Sequence, residues 1–331
     1  MIWHFLITAS LMGALAVSLN LAVGSAGLFN IGHAAYFGVG AYTSALLVLA
    51  GVRFELALPG AAVVAGILGL ALGGLTLKLE GDYFAVASLG LGIVTQAVLN
   101  NWQGLTRGPM GIPGIPAPAI FGVELNTLPA QFLLAAFYLV LVYLTVERLT
   151  RSPFGLSLRA VRDDEAATAA LGKPVVALKV QAAAVSALFA GGAGSLYAHY
   201  VSYIDPSQFG LALSVSLLVA VIFGGLGNHL GAILAATLLA GMQQGLLLLG
   251  VPPGLSGGLQ QLLFSVALVA LVLVRPRGLL AERRWRAAFA PPSPERGVRA
   301  AFSNSRLPVS VVEEGRNDAR DSFGRSIRHG A

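Results

Sequence analysis

The 331-residue chain is 56% hydrophobic and only 11% charged, with a mean hydropathy of +0.77, whereas soluble domains are about a quarter charged. One soluble core cannot hide so much apolar surface, so the bilayer is the natural solvent for this chain. The chain contains no cysteine, which excludes disulfides, thiolate metal sites and cysteine nucleophiles.

The net charge of +6 is concentrated at the C-terminus. Residues 1–274 are neutral, with nine basic and nine acidic side chains, and the remaining residues hold twelve arginines against six acids. Basic residues beside membrane spans mark the cytoplasmic side. We therefore interpret the excess as a topology signal and expect no nucleic-acid binding. The Arg-, Pro- and Ser-rich residues 281–331 are predicted to form a mostly disordered cytoplasmic tail after a membrane domain at 1–280.

Nine stretches have, or nearly have, the 20 or so apolar residues that cross a bilayer core. They are approximately 5–23, 30–50, 56–77, 83–100, 129–146, 179–200, 210–227, 230–251 and 258–274. Few hold a charge, which at mid-membrane costs about 2.5–3.5 kcal/mol. The sequence predicts an all-α polytopic transmembrane helical bundle of about nine spans, with eight to ten as the range.

Basic residues also predict the orientation. Six of the nine basic residues before the tail lie in segment 148–179, and Lys78 lies in another short loop. If these regions and the tail are cytoplasmic, 19 of the 21 basic residues are inside, and Arg53 and Arg107 are outside. The N-terminus is then external, and we expect it to begin a first span rather than a removed signal peptide.

Three spans carry glycines at helix-packing spacing. Gly69 and Gly73 form one GxxxG pair, Gly241 and Gly245 form another, and a third span contains the cluster at 191–194. Small residues let helix backbones approach closely in lipid, which favours a compact bundle.

Polar residues interrupt the apolar segment 18–47, SLNLAVGSAGLFNIGHAAYFGVGAYTSALL. Asn20, Asn30 and His33 stand at membrane depth or at its edge, where polar groups usually face the bundle interior or a water-filled path. All three are candidates for the lining of such a path. For His33 we prefer a hydrogen-bonded packing role at a helix end. The uncharged loop at 24–29 leaves open a broken or re-entrant helix.

A second polar group ends the span at 83–100. Gln96, Asn100 and Asn101 are predicted to cap its outer end, and they are further candidates for a path lining. The Gly- and Pro-rich loop that follows, up to residue 116, is predicted to be external and too broken for helix. It could close over a pathway or simply connect two spans.

Segment 148–179 is too polar to span the membrane and is predicted to be cytoplasmic. Pro153 suits a helix start, the acids at 163–165 suit a helix N-terminus, and Gly172 followed by Pro174 is a stop signal. The pattern predicts a short helix with a face of small residues, flanked by arginines. Such a helix can dock into a groove on a partner, and a solvated loop is the equal alternative on spacing alone.

No catalytic motif is present in the sequence. The glycine-rich GGLGNHLG at 224–231 is not followed by GK[ST], so it is not a phosphate-binding loop, and no Walker A pattern occurs anywhere. HExxH and GxSxG are absent as well. We expect no catalytic residues, no metal site and no cofactor in this chain. If ATP drives the protein, another chain must bind it.

Several long segments, in order, resemble the integral membrane subunits of branched-chain amino-acid ABC transporters, most closely the LivM-like permeases. They are NLAVGSAGLFNIGHAAYFGVGAY, GDYFAVASLGLG, LNNWQGLTRGPMGIPGIP, SPFGLSLRAVRDDEAATAALG, IFGGLGNHLGA and RPRGLL. Ile93 stands where the family often has a carboxylate, and Met110 where it commonly has Asn. These two departures leave the substrate preference open.

The resemblance implies a subunit of the bacterial inner membrane that pairs with a second, homologous permease. Two cytoplasmic ATPases would dock below, and an external solute-binding protein would deliver substrate. Segment 153–172 corresponds to the family's coupling-helix region. The implied coupling residues are Arg159, Arg162, Glu165, Ala166 and Gly172.

The resulting hypothesis is an ATP-driven importer of branched-chain or related amino acids that works by alternating access. Another small polar solute, such as urea or an amide, is an alternative substrate. A self-sufficient secondary transporter is a further alternative, which inverted repeats or charges at mid-membrane would favour. A membrane scaffold without transport would not need the polar groups at 20–33 and 96–101.

Overall fold

The computed structural model describes residues 2–75, 81–120 and 122–248, together with 258–259, 262–263, 265–266 and 279–280. In these residues the helices are α1 (Ile2–Asn20), α2 (His33–Leu49), α3 (Phe54–Leu75), α4 (Gly81–Asn101), α5 (Gln103–Thr106), α6 (Leu128–Arg151), α7 (Pro153–Asp163), α8 (Glu165–Ala170), α9 (Val175–Val201), α10 (Leu211–Gly224) and α11 (His229–Leu248). The strands are β1 (Ile112–Pro113), β2 (Ala119–Ile120), β3 (Val123–Glu124) and β4 (Tyr203–Ile204).

The helices confirm a transmembrane helical bundle. Six helical segments are long and apolar enough to cross a membrane, and α2 and the first part of α11 are shorter apolar helices. Together they correspond to eight of the nine predicted spans. Most of the ninth, at 258–274, lies outside the described residues, as do Lys78 and residues 281–331. The chain is therefore an integral membrane protein.

Helices α1 and α9 form the centre of the bundle. In the first span, Ile2–Ser25, 83% of the 18-residue apolar window is buried inside the protein, and α1 contacts α6, α9, α10 and α11. Helix α9 packs against α2 and α3. A helix that is hydrophobic all round is suited to this position, because every face meets other helices.

Glycines bring α2, α3 and α9 into backbone contact, as their spacing predicts. A methyl group at Gly69 would come within 2.6 Å of Ala187 Cβ, and Gly73 faces Val180. In the other predicted pair, Gly241 packs against the Phe5 ring, whereas a methyl group at Gly245 would meet no atom within 4 Å in the described part of the chain. Gly69 and Gly73 thus both pack against α9, whereas in the second pair only Gly241 packs against another helix in the described part of the chain.

Helix α2 is short, and so is the α-helical part of the span Pro206–Gly224, which begins with a 3-10 turn at Pro206–Phe209. Helix α2 has 17 residues and α10 has 14, which at 1.5 Å per residue gives about 25 Å and about 21 Å, short of the hydrocarbon core of about 30 Å. Their first turns meet, since the Ala34 amide donates to Ser214 Oγ at 2.9 Å. The chain between α1 and α2 is the broken helix that the sequence left open: a π-helical turn at Leu21–Ser25, then non-helical backbone up to His33.

The external loop is anchored to the bundle. Strand β1 pairs antiparallel with β4, and β2 with β3, while His199 Nδ1 lies 2.7 Å from the Pro116 carbonyl oxygen. The expectation that this loop is too broken for helix was wrong in one place. Helix α5 forms a single turn, because the Thr106 hydroxyl bonds the carbonyl oxygens of Leu99 and Trp102 at 2.7 and 2.8 Å.

At the opposite end, the chain returns to the end of α10 after a stretch outside the described residues. The amides of Leu279 and Leu280 donate to the carbonyl oxygens of Phe223 and Gly224 at 2.9 and 3.2 Å. They satisfy acceptors that a helix C-terminus leaves without an intrahelical partner.

Substituting Gly40 tests the close packing of α2 on α9. A methyl group there would lie 2.1 Å from the Gly191 carbonyl oxygen, so Gly40→Ala should lower stability by about 1–3 kcal/mol. This loss should occur although alanine is the better helix former by about 1 kcal/mol. Thermal unfolding of the detergent-solubilised protein measures it.

Gly74→Ala is the matched control, because no atom of the described residues lies within 4 Å of a methyl at that position in α3. It should unfold at or slightly above the wild-type temperature. Equal melting temperatures for the two variants would contradict the α2–α9 contact.

Candidate functional site

A narrow pocket lies where the first turns of α2 and α10 meet α4, and its cavity volume is about 10 Å³. It is lined by Ile31, Ala35, Leu89, Gly92, Ile93, Gln96, Phe209, Gly210, Leu211 and Ser214. Most of this lining is apolar, and it contains no charged side chain. The chemistry of the lining therefore suits a solute with an apolar part.

The first turn of α10 supplies the electrostatic feature of the pocket. Its N-cap is Gly210, which has no side chain to occupy the terminal amides, and no acidic residue lies in the first turn. The N-terminal end of a helix carries partial positive charge and attracts carboxylates. In contrast, the first turn of α2 already donates to Ser214 Oγ and to the Gly32 carbonyl oxygen. An anionic group entering the pocket would thus be attracted to the N-terminal end of α10.

Gln96 is the predicted path residue that lines the pocket. Its side chain is half-buried, and its Nε2 atom would lie 3.1 Å from a methyl group at Gly210. An amide at this position can donate to and accept from a bound solute. Gln96 thus places one adaptable polar group opposite the α10 terminus.

Asn30 and His33 lie behind the pocket and are fully buried. Asn30 Oδ1 accepts from the Gly32 amide at 3.0 Å, and His33 Nε2 lies 2.9 Å from Ser18 Oγ. His33 is the first residue of α2. This position agrees with the packing role at a helix end that the sequence analysis prefers for His33. Both side chains hold the broken segment rather than face the pocket.

The other three candidates lie at the two ends of the bundle. Asn20 is at the end of α1, where its Oδ1 accepts from the Gly227 amide at 3.0 Å. Asn101 caps α4 by donating to the Ala97 carbonyl oxygen at 2.8 Å, and Asn100 is half-buried beside it. The structure therefore does not bring these three to the pocket.

The open side of the pocket is the exposed face of α4. Only 17% of the α4 span is buried inside the protein, and Ile93 is 57% exposed. The exposed side chains of α6 between residues 133 and 144 are all apolar, and so are those of α4 between residues 86 and 98. The α4 face differs because the half-buried amides of Gln96 and Asn100 border it. Because polar groups are unfavourable in lipid, the face with Gln96 and Asn100 is the one suited to water or to protein.

Segment 148–179, predicted to be cytoplasmic, forms two helices between α6 and α9 where one short helix was predicted. Asp164 leaves the helical conformation, with φ −156° and ψ 107°, and its carboxylate accepts from the Ala167 amide at 2.9 Å. An N-cap of this kind starts a new helix. Helix α7 is consequently separate from α8, which carries the small residues.

Helix α8 ends at Gly172 as the sequence predicts. Gly172 has φ +75°, its amide bonds Ala169 O at 2.9 Å, and the Lys173 amide bonds Thr168 O at 3.3 Å, which is the Schellman arrangement. Leu171, just before it, is 81% exposed. Sequence reasoning overlooked Leu171, although a leucine after a run of alanines in a cytoplasmic loop was a visible signal.

The charged coupling candidates bind their own chain. Arg159 donates to the Thr150 carbonyl oxygen at 2.5 Å, and Arg162 donates to the Gly24 carbonyl oxygen. Glu165 pairs with Lys179 of α9 at 2.5 Å. Ala166, by contrast, is exposed on α8. The charges thus position α7 and α8, and the exposed apolar face of α8 remains open to a partner.

Residues 1–271 match the family model of the branched-chain amino acid transport system permease component. The chain belongs to this permease family. The match includes the pocket, α7 and α8.

Curated relatives agree with the family assignment. The permease is 35% identical over 249 residues to the high-affinity branched-chain amino acid transport system permease protein LivM of Salmonella typhimurium, covering 68% of this chain and 59% of that protein. It is 26% identical over 236 residues to a probable LivM of Methanocaldococcus jannaschii, with 67% and 68% covered. It is 28% identical over 231 residues to the autoinducer 2 import system permease protein LsrC of Salmonella paratyphi B, with 65% and 63% covered. The match thus spans about three fifths of the Salmonella LivM. No solved structure matches this chain.

Thiol labelling can test which face of the permease meets water, because the chain has no native cysteine. Ile93→Cys should react with a water-soluble maleimide in intact membranes. Val140→Cys should not, although Val140 has a similar exposed fraction, 52%, near the middle of α6. Mass spectrometry of the labelled protein measures both, and labelling of Val140→Cys at the same rate would contradict the assignment of the two faces.

Proposed function

We propose that this permease forms half of the pathway of an ATP-driven importer for branched-chain amino acids in the bacterial cytoplasmic (inner) membrane. The observation that carries the proposal is the pocket between α2, α4 and α10. It joins apolar walls to the N-terminal end of a helix, and a branched-chain amino acid joins an apolar side chain to a carboxylate.

The pocket is narrow in this structure, with a cavity volume of about 10 Å³, roughly the room that one water molecule needs. In the proposed mechanism, separation of the pocket walls during alternating access opens it for a substrate. Ile31, Leu89 and Ile93 would contact the aliphatic side chain, while the first turn of α10 would receive the carboxylate. Gln96 would bond the remaining polar atoms.

The open face of α4 supports the view that this chain holds half of a site. A second, homologous permease facing α4 would close the pocket and cover Gln96. Alternating access would then consist of changes at this interface, and an external solute-binding protein would deliver the substrate.

Other substrates are less well matched. Urea and simple amides have no aliphatic group to fill the apolar walls. Autoinducer 2 import permeases are similar to this chain at lower identity than the LivM of Salmonella typhimurium. An ion-coupled secondary transporter usually carries ionisable groups at membrane depth, and the pocket lining has none.

Helix α8 is the proposed docking surface for the partner ATPases. Ala166, Ala169 and Leu171 are exposed on the cytoplasmic side, and a small-residue helix with one protruding leucine fits a groove. We propose that this chain binds no cofactor and that the partner subunits bind and hydrolyse ATP.

Gentle extraction of the tagged chain from native membranes tests the assembly. A second permease and two ATPases should co-purify, and the accompanying solute-binding protein should bind L-leucine, L-isoleucine or L-valine. Recovery of the chain alone, or as a homo-oligomer, in several mild detergents would contradict the importer and favour a secondary transporter.

Replacing Leu171 with aspartate should weaken ATPase docking. A buried apolar anchor is worth about 2 kcal/mol, or roughly thirtyfold in affinity, and a carboxylate in a groove adds a desolvation cost. Co-purification of the ATPases and ATP hydrolysis by the complex measure the loss. Leu56→Asp is the control, because Leu56 is 66% exposed at the external end of the bundle. The docking surface is refuted if both variants retain the ATPases equally.

A further inference from the structure

Arg162 joins the cytoplasmic helix α7 to the broken segment between α1 and α2. Its guanidinium donates to the Gly24 carbonyl oxygen. A methyl group at Gly27 would lie 3.0 Å from Arg162 Cγ and 3.4 Å from its Cα. Gly27 has φ +71°, a conformation that favours glycine. The chain therefore bends directly over Arg162, so a displacement of α7 that keeps this contact would push or pull the bend.

The other end of the same segment forms a wall of the pocket. Ile31 lines the pocket, and its amide donates to Ser88 Oγ of α4 at 3.0 Å. A methyl group at Gly32 would lie 1.9 Å from the Ser88 carbonyl oxygen. The segment is consequently packed against α4 with no space between the two backbones.

Ile31 lies only seven positions after Gly24, and a chain of that length spans at most about 25 Å. The amides of Gly27 and Leu28 bond the carbonyl oxygens of Val23 and Ala22 at 3.2 and 2.9 Å. While these bonds hold, the first part of the segment cannot lengthen to absorb a displacement. The π-helical turn at its start is a rare conformation that recurs at functional sites.

We propose that Arg162 is a positioning residue that transmits movement of α7 to the pocket wall through residues 24–32, which we name the link segment. The inference rests on the proposed function and extends it, because it assigns a route from the ATPase side to the substrate site. Nucleotide binding by the partners displaces α7, Arg162 carries the displacement to Gly24, and Ile31 moves against α4.

A second contact keeps the surroundings of the link segment in place. Asn20 Oδ1 accepts from the Gly227 amide at 3.0 Å, and His229 lies 3.4 Å from both Asn20 Nδ2 and Thr150 Oγ1. Thr150 in turn accepts from Arg159 through its carbonyl oxygen. This set joins α1, α6 and the α10–α11 turn, and it provides a base against which the link segment moves.

A spin label on Ile31→Cys in the purified complex with its co-purifying partners tests the inference. Because the chain has no native cysteine, it can be labelled at this single site before it is recombined with its partners. Binding of a non-hydrolysable ATP analogue should change the mobility of the label in the wild-type background. With Arg162→Ala the change should be lost, although the ATPases still co-elute, and Arg162→Lys should restore part of it by supplying a donor.

Two controls separate transmission from general damage. Arg151→Ala removes a cytoplasmic arginine that pairs with Glu147 of its own helix, and it should leave the response intact. A label on Val140→Cys should give the same spectrum in every background. Uptake of L-leucine per ATP hydrolysed should fall roughly tenfold in Arg162→Ala, as expected for loss of a charged hydrogen bond.

The possible failures are distinguishable. If no ATPase co-purifies with the wild-type chain, the proposed function is overturned together with this inference. If the complex assembles and hydrolyses ATP, two results overturn the inference alone: a label at Ile31 that never responds to nucleotide, or one that responds equally in Arg162→Ala.

Discussion

Backbone amides that leave a helix inside a membrane must find hydrogen-bond partners within the protein, and the rest of this structure depends on that constraint. The broken segment before α2 meets it with side chains from other helices. Ser88 accepts from the Ile31 amide, and Ser214 accepts from the Ala34 amide. The same two bonds bring α4 and α10 to the start of α2. The pocket is thus a consequence of how the broken backbone is satisfied, because its three walls are the helices that supply and receive these bonds.

Close packing of α2 against α9 compensates for the loss of helical hydrogen bonds in the broken segment before α2. Gly40 meets the Gly191 backbone, and Gly194 meets the Phe37 carbonyl oxygen, so α2 is held against α9 along much of its length. Helix α3 adds Gly69 against α9. Such contacts gain van der Waals energy that lipid tails cannot supply. The short helix α2 can therefore be fixed at one face while its first turn remains available to the pocket.

The sequence was sufficient for features that follow from composition and local propensity. Eight spans, the break near residues 24–29 and the stop at Gly172 follow from hydropathy, from the lack of charge and from the preference of glycine for positive φ. Long-range side-chain partners do not follow. Arg162 is among the residues that the sequence analysis assigns to coupling with a partner, yet its side chain bonds the Gly24 carbonyl oxygen, 138 positions away along the chain. Gln96 was found because a lone amide in a span is conspicuous, whereas Ser88 and Ser214 resemble ordinary small helix residues.

The composition of the two exposed helices indicates which of them faces lipid and which faces a partner protein. Helix α6 and helix α4 are both little buried within this chain, at 22% and 17% of their spans. The face of α6 is aliphatic and aromatic, so acyl chains can cover it without loss. The face of α4 is bordered by Gln96 and Asn100 and adjoins the open side of the pocket, and lipid there would leave their amides without partners. In the proposed importer the second permease covers this face, which explains why a pocket built by one chain remains open on the side where polar groups are concentrated.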